Sequence, residues 1–249
     1  MRLVQITDAH LYADINARSR AGVPWRQFQQ VLSAVTDEQP DIVLFSGDIS
    51  QDESAASYAL AVQAMDTLPC PWYWLPGNHD QLVLMTAERP LIDDLACGAW
   101  RLLLLNTHVE GKPFGELGNE RLAALDEQLK ADDRPTLIVM HHPPVDVGAA
   151  WMDAIGLQDR EAFWQLLSAY PQVRIILFGH VHQAYARRHE ISSHEVGHHE
   201  IGVYGCPAMA DQFLPGAEHF AIDEASRPGY RVIDLDGSEW QTWVERVAV

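Results

Sequence analysis

In 249 residues, a length suited to one compact α/β domain spanning 1–249, the chain carries 17 basic and 35 acidic side chains, for a formal net charge of −18. That balance argues against nucleic acid as a partner, because nonspecific binding depends on basic patches meeting phosphates. No apolar run approaches the ~18 residues of a membrane helix, the amino terminus enters a strand with no signal-like core, and Cys70, Cys97 and Cys206 are scattered as free thiols, so a cytoplasmic protein with no membrane partner is expected.

In chain order, the first apolar run of strand length is Leu3-Val4-Gln5-Ile6, followed closely by Asp8-Ala9-His10. Helical spacing of Phe28, Val31, Leu32 and Val35 predicts a helix with a core-facing stripe. The run 42–45 leads into Gly47-Asp48, and 54–65 reads as a further helix. The run 72–75, rich in aromatics, leads into Gly77-Asn78-His79-Asp80. Leu122, Leu125 and Leu129 mark another helical face, and the run 137–140 ends in His141-His142-Pro143-Pro144. Phe163, Leu166, Leu167 and Tyr170 mark a further one, and the run 175–178 precedes Gly179-His180-Val181-His182. From Ala184 on, helical signals give way to strand-like pieces at 201–204, 230–234 and 240–247. Alternating strands and helices followed by a strand-rich tail predict two sheets packed face to face with helices outside.

Five motifs thus follow five apolar runs, and each is rich in metal-ligand side chains. Singly they are weak: Asp-x-His is often a capping pair, and Gly-Asp is usually a turn. Gly-Asn-His-Asp is more specific, since a plain turn needs only the glycine and asparagine. Together, each at a strand end, they predict one crevice holding two metal ions, because two cations close together repel and their shared ligands must come from a rigid frame. Nitrogen and oxygen donors suit iron, manganese or zinc better than calcium, and the lack of cysteine in the motifs disfavours a structural zinc site.

The ordered set resembles the calcineurin-like metallophosphoesterase superfamily, and the match extends toward the bacterial class III cyclic-nucleotide phosphodiesterases. Ser46-Gly47-Asp48-Ile49-Ser50-Gln51-Asp52, Tyr73-Trp74-Leu75-Pro76-Gly77-Asn78-His79-Asp80, Trp151-Met152-Asp153-Ala154-Ile155-Gly156-Leu157 and Phe220-Ala221-Ile222-Asp223 are similar to that subgroup's signatures. The resemblance implies a four-layer αββα sandwich of two mixed β-sheets flanked by helices. It implies that Asp8, His10 and His182 hold one metal, that Asn78, His141 and His180 hold the other, and that Asp48 bridges them. His79 would face the scissile phosphate as the catalytic residue, with Asn78 also touching substrate. The ions would be divalent or mixed-valence, iron or manganese foremost and zinc also accommodated. Asp80 is expected to orient His79 or cap the following segment. His142, on an extended segment beside a ligand, is expected to point the opposite way and to pack or hydrogen-bond.

The expected reaction is hydrolysis of 3′,5′-cyclic AMP to the 5′-monophosphate by a metal-bridging hydroxide, with His79 stabilising the leaving oxygen. Two departures bear on the substrate. Between Tyr185 and Gly205 the chain has a longer piece carrying His189, His194, His198 and His199, better read as solvated hairpin histidines than as a third metal site. After it, Cys206-Pro207-Ala208-Met209-Ala210-Asp211-Gln212-Phe213 keeps only Gln-Phe of the subgroup's usual sequence, so another phosphodiester, a glycerophosphodiester or a 2′,3′-cyclic nucleotide, is the alternative. A noncatalytic metal-binding regulator is a third reading, disfavoured because every ligand and His79 are present. Gln51 stands where purple acid phosphatases place a tyrosine ligand. A homodimer through an edge strand is open, with no motif behind it.

Overall fold

The computed structural model describes residues 1–193 and 196–248. In chain order its first half comprises β1 (Arg2–Ile6), α1 (Pro24–Asp37), β2 (Ile42–Phe45), α2 (Ala55–Met65), β3 (Trp72–Trp74), α3 (Leu82–Glu88), β4 (Asp94–Cys97) and β5 (Trp100–Leu104). The second half comprises α4 (Gly118–Ala131), β6 (Thr136–Met140), α5 (Ala150–Asp153), α6 (Arg160–Leu167), β7 (Val173–Phe178), β8 (Tyr185–Ser193), β9 (Gly197–Gly205), β10 (Gly229–Asp236) and β11 (Glu239–Arg246).

Two mixed sheets form, one of five strands in the order β11-β10-β1-β2-β3 and one of six in the order β4-β5-β6-β7-β9-β8. Because side chains alternate across a strand, each central strand feeds two cores. Leu3, Leu44, Leu137, Val139, Ile175 and Leu177 meet between the sheets. The intervening Val4, Ile6, Val43 and Phe45 turn outward onto Phe28 and Val31 of α1 and Tyr58 of α2. Ile138, Met140, Ile176 and Phe178 likewise turn onto Leu125 and Leu129 of α4 and Phe163 of α6. Three cores separating four layers are the αββα sandwich.

Helix α2 starts where Ser54 accepts the backbone N–H of Ser57 at 3.2 Å, satisfying one of the donors a helix start leaves free. Pro24 occupies the first turn of α1, where its missing N–H costs nothing. Strands β4 and β5 and helices α3 and α5 add to the elements expected from the sequence. Strand β5 is a leucine-rich run crossed by Arg101, which is buried and bound to Asp94 of β4, its Nε donating to Oδ1 at 2.9 Å. Among the described residues, no helix is long and apolar enough to cross a membrane.

Strands β1, β2 and β3 run parallel, as do β6 and β7, so the loops after all five emerge at one end of the sandwich. Gln5 ties the two sheets together just beneath those loops, donating from Nε2 to Ser46 Oγ at 2.8 Å and to the Phe178 carbonyl of β7 at 3.1 Å.

Candidate metal centre

The five loops continue the sheets' hydrogen bonding past the strand ends. Asp8 donates its N–H to the Gly47 carbonyl and His10 to that of Asp48, both at 3.0 Å, and Gly179 donates to the His141 carbonyl at 3.0 Å. Left-handed backbone is concentrated in these loops. Asp8 (φ 54°), His10 (47°), Asp48 (53°), His180 (67°) and His182 (52°) all take it, the only other non-glycine residues among those described being Gln39 and Glu53. Such conformations cost roughly 1–3 kcal/mol each and persist where the surrounding structure over-determines them. Gly77 lies against the Asp48 carboxylate so closely that a Cβ there would collide with it, and Gly47 (φ 98°) would set a Cβ 2.5 Å from His141 Nδ1.

Two donor groups result. In the first, single ligand atoms of Asp8, His10, Asp48 and His182 lie within 4.8 Å of one another. His10 Nε2 is 3.1 Å from His182 Nε2, and His182 Nε2 is 3.2 Å from Asp8 Oδ1. In the second, His141 Nε2 lies 3.2 Å from Asn78 Oδ1, and nitrogens of His141, His142 and His180 lie within 4.8 Å of one another. Asp48 Oδ2 stands between the groups, 3.7 Å from His10 Nε2 and 3.4 Å from His141 Nε2. The structure therefore brings together all eight residues singled out in the sequence, with Asp48 in the middle and His79 beside His10, ring centroids 5.0 Å apart.

The imidazoles are aimed by carbonyls. His141 donates from Nδ1 to the Ser46 carbonyl at 2.8 Å and His182 from Nδ1 to that of Asp211 at 2.7 Å, so each turns an Nε2 lone pair inward. Asp8 Oδ1 and His180 Nε2 are buried without a hydrogen-bond partner. Orphaned acceptors cost free energy unless something positive meets them, so the donor set fits a pair of first-row cations.

Electrostatics say the same. Burial pushes the Asp8 carboxyl up, but the His182 and His10 imidazoles outweigh it and hold it far below the usual carboxylate range. At Asp48 burial is likewise overcome, chiefly by His141. Burial pulls His141 down, yet the Asp48 charge outweighs it and lifts it to about 9. His180, buried beside His141, is pushed down to about 3 and keeps its lone pair free. Burial also lowers His79, with Asp48 opposing, so its ring is neutral at pH 7.

Asp80 differs from expectation. It neither holds His79 nor caps α3: its buried carboxylate accepts from Gly77 N (2.8 Å), Ile49 N (3.0 Å), Ser50 N (3.2 Å) and the Tyr58 hydroxyl (3.1 Å). It clamps the loop after β2 to the loop after β3. His142 does hydrogen-bond, its Nδ1 lying 2.8 Å from Thr107 Oγ1, but its ring stays 4.8 Å from that of His180 rather than turning away. His108, not singled out in the sequence, supports the centre from behind by donating from Nδ1 to the Gly77 carbonyl at 2.8 Å. Its signal was weak, a lone histidine with no ligand spacing.

The histidine-rich piece is the β8–β9 hairpin. His189 stacks on Trp164 at 3.9 Å beside an open groove of about 990 Å³ that contains none of the eight residues, and His198 Nδ1 lies 2.9 Å from Ser192 Oγ. Among the described residues these imidazoles form no metal-holding cluster; His194 lies outside them. At the centre itself opens a cleft of about 550 Å³, bordered by His10, His79, His182, Gln51, Arg20 and Phe220.

A family model described as calcineurin-like phosphoesterase matches residues 1–184. A Vibrio vulnificus protein named 3′,5′-cyclic adenosine monophosphate phosphodiesterase CpdA is 37% identical over 258 aligned positions, covering 100% of this chain and 90% of that one. The Escherichia coli protein of the same name is 32% identical, covering 100% and 90%. A Nostoc protein named as a 3′,5′-cyclic-nucleotide phosphodiesterase is 34% identical, covering 98% and 92%. Among solved structures, a dimetal phosphatase from Danio rerio superposes with a TM-score of 0.67 at 14% identity, covering 99% of both chains, which shows a shared fold.

Proposed function

The chain belongs to the calcineurin-like phosphoesterase family, and on that premise we propose that it is a two-metal phosphodiesterase hydrolysing 3′,5′-cyclic AMP. The observation that carries the reading is the position of Asp48 Oδ2 between two sets of inward-facing nitrogens. The likeness in sequence to proteins named as cyclic AMP phosphodiesterases supports the substrate.

Asp8, His10 and His182 would hold one ion, Asn78, His141 and His180 the other, with Asp48 shared. When bound, such ions withdraw charge from phosphoryl oxygens and supply hydroxide at neutral pH. The chain's own residues do the rest. Asp8 and Asp48, both held ionised, would cancel only part of the charge two bound ions would bring, so the loaded crevice would favour a phosphodiester anion in spite of the acidic surface, which salt screens beyond ~8 Å. Asp48 Oδ1 accepts the His79 backbone N–H at 2.9 Å and so anchors the backbone from which the ring borders the cleft. A neutral His79 ring retains one N–H, which it offers to the leaving sugar oxygen. Asn78, half-buried at the rim, can turn its amide toward a phosphoryl oxygen.

The test is hydrolysis of cyclic AMP beside bis(p-nitrophenyl) phosphate by protein stripped of metal and reloaded with manganese, with chelated protein as control. Metal-dependent turnover of both supports the proposal. Turnover of the model diester alone would keep the two-metal reading and move the substrate to another phosphodiester.

A further inference from the structure

We infer that the loop Ser19–Gly22, pinned by the Asp211 carboxylate, is a nucleobase-recognition element that stacks the base of the substrate on Arg20, with Phe220 behind it. This rests on the reading of the cleft as a nucleotide phosphodiesterase site.

The loop is a built feature. Asp211 Oδ1 accepts from Ser19 Oγ at 2.6 Å and from Ala21 N at 2.9 Å, while Oδ2 accepts from Arg20 N at 3.1 Å. Ser19 N closes the turn on the Gly22 carbonyl at 3.0 Å. Asp211 is buried, and its own carbonyl is the acceptor that aims His182. One residue therefore sets both a candidate metal ligand and the loop above it.

What the loop presents is chemically specific. The Arg20 guanidinium sits over the Phe220 ring, 4.7 Å from its centroid. Phe220 meets Phe213 edge-on at 5.2 Å, and Phe213 lies flat on the His182 ring, 3.8 Å away and 6° from parallel. A continuous run of ring contacts, one flat and one edge-on, thus leads from the candidate metal centre to Arg20 at the cleft mouth. Phe220 is 42% exposed and, of the exposed large hydrophobics, is the one that borders the cleft. Among the described residues neither Arg18 nor Arg20 is ion-paired, although acids outnumber bases by 35 to 17.

A cation anchored on an aromatic ring, with no carboxylate partner, offers a flat delocalised surface on which a base can stack. The reacting phosphate is claimed by the metal centre, so the group that reaches the mouth is the one the phosphate carries. Every base has a π-face, and stacking of this kind is typically worth ~5–150-fold in affinity per base.

Calorimetric titration of the manganese-loaded protein with AMP and with ribose 5-phosphate isolates the base, because the two ligands share the sugar phosphate. Wild type should bind AMP at least ~10-fold tighter. Arg20→Ala and Phe220→Ala should cut that preference to about threefold or less, and so should Arg20→Lys, which keeps the charge without the planar surface. Arg20 is exposed, so its variants test the idea without disturbing the buried Asp211. Equal affinities in wild type, or a preference retained in Arg20→Ala, would overturn the inference. A preference fully retained in Arg20→Lys would also overturn it, by showing charge rather than stacking at work. Lack of cyclic AMP turnover with the base preference intact would count against the proposed substrate alone; turnover without a base preference would count against the loop.

Discussion

The Asp48 carboxylate accepts the His79 backbone N–H at 2.9 Å with one oxygen while the other faces both donor groups. Substitutions at the two residues should therefore separate. His79→Ala is expected to keep both metals and lower turnover by ~10²–10⁴-fold, whereas Asp48→Ala loses metal and turnover together. Metal analysis and kinetics of the purified variants check this; a fully active His79→Ala enzyme would remove the leaving-group role.

Metal occupancy should also be visible as stability. The inward lone pairs and unpartnered Asp8 and His180 atoms exist as a set only in the folded chain. Manganese at about a hundred times its Kd adds ~2.7 kcal/mol, which for a chain of this size corresponds to a rise of roughly 5–10 °C in Tm. Thermal melts of chelated and reloaded protein measure it. Asp8→Ala should lose most of the rise, and an undiminished one would exclude Asp8 as a ligand.

Asp80 should matter as much as a ligand without being one. Asp80→Ala would leave the N–H groups of Gly77, Ile49 and Ser50 without an acceptor in the interior, and the Tyr58 hydroxyl, which still accepts the Gln81 N–H, would lose the acceptor for its own proton. A loss of roughly 3–5 kcal/mol is expected in urea unfolding. Asp80→Asn, which keeps one acceptor oxygen, should cost less. Equal stability of Asp80→Ala and wild type would show the clamp to be dispensable.

Away from the site, Arg2 holds Asp234 with two hydrogen bonds of 2.8 Å, and these outweigh burial to depress the Asp234 carboxyl. A folded pKa below the unfolded ~3.9 means the contribution is present above that value and is lost as pH falls through the folded one. Both side chains are about one-third exposed, so solvent limits the effect to roughly 0.5–1 kcal/mol. Asp234→Asn should be less stable than wild type by that amount at pH 7, with the gap closing below about pH 3.9. A gap that stays constant down to pH 2 would mean the pair is not its source.

The five strands that precede the motifs and helices α1, α2, α4 and α6 are legible because their apolar positions repeat with the period of the element and the motifs follow at strand ends. Strand β5 was not, since leucines with an arginine among them lack the β-branched signature, and Arg101 is tolerated there through Asp94, a partner the one-dimensional pattern does not reveal. The eight site residues could be named because ligand chemistry needs particular side chains at close spacing. Their supports could not. Asp80, His108 and Asp211 each reach a residue 29 or more positions away in sequence through a backbone group on one side or the other, and any acceptor or donor of the right reach would serve. The expected turning away of His142 erred because the chain at 141–144 is a bend rather than a regular strand.

The donors hang from different sheets: Asp8, His10, Asp48 and Asn78 follow strands of the five-stranded one, and His141, His180 and His182 follow strands of the six-stranded one. His10 and His182 are 172 residues apart in the chain. An ion held across that gap would be a reversible cross-link spanning most of the polypeptide, and melting either half would release it. On the proposed reading, catalytic competence would thereby be tied to global cooperativity, and loosening of either sheet would be reported at one end of the sandwich as lost metal.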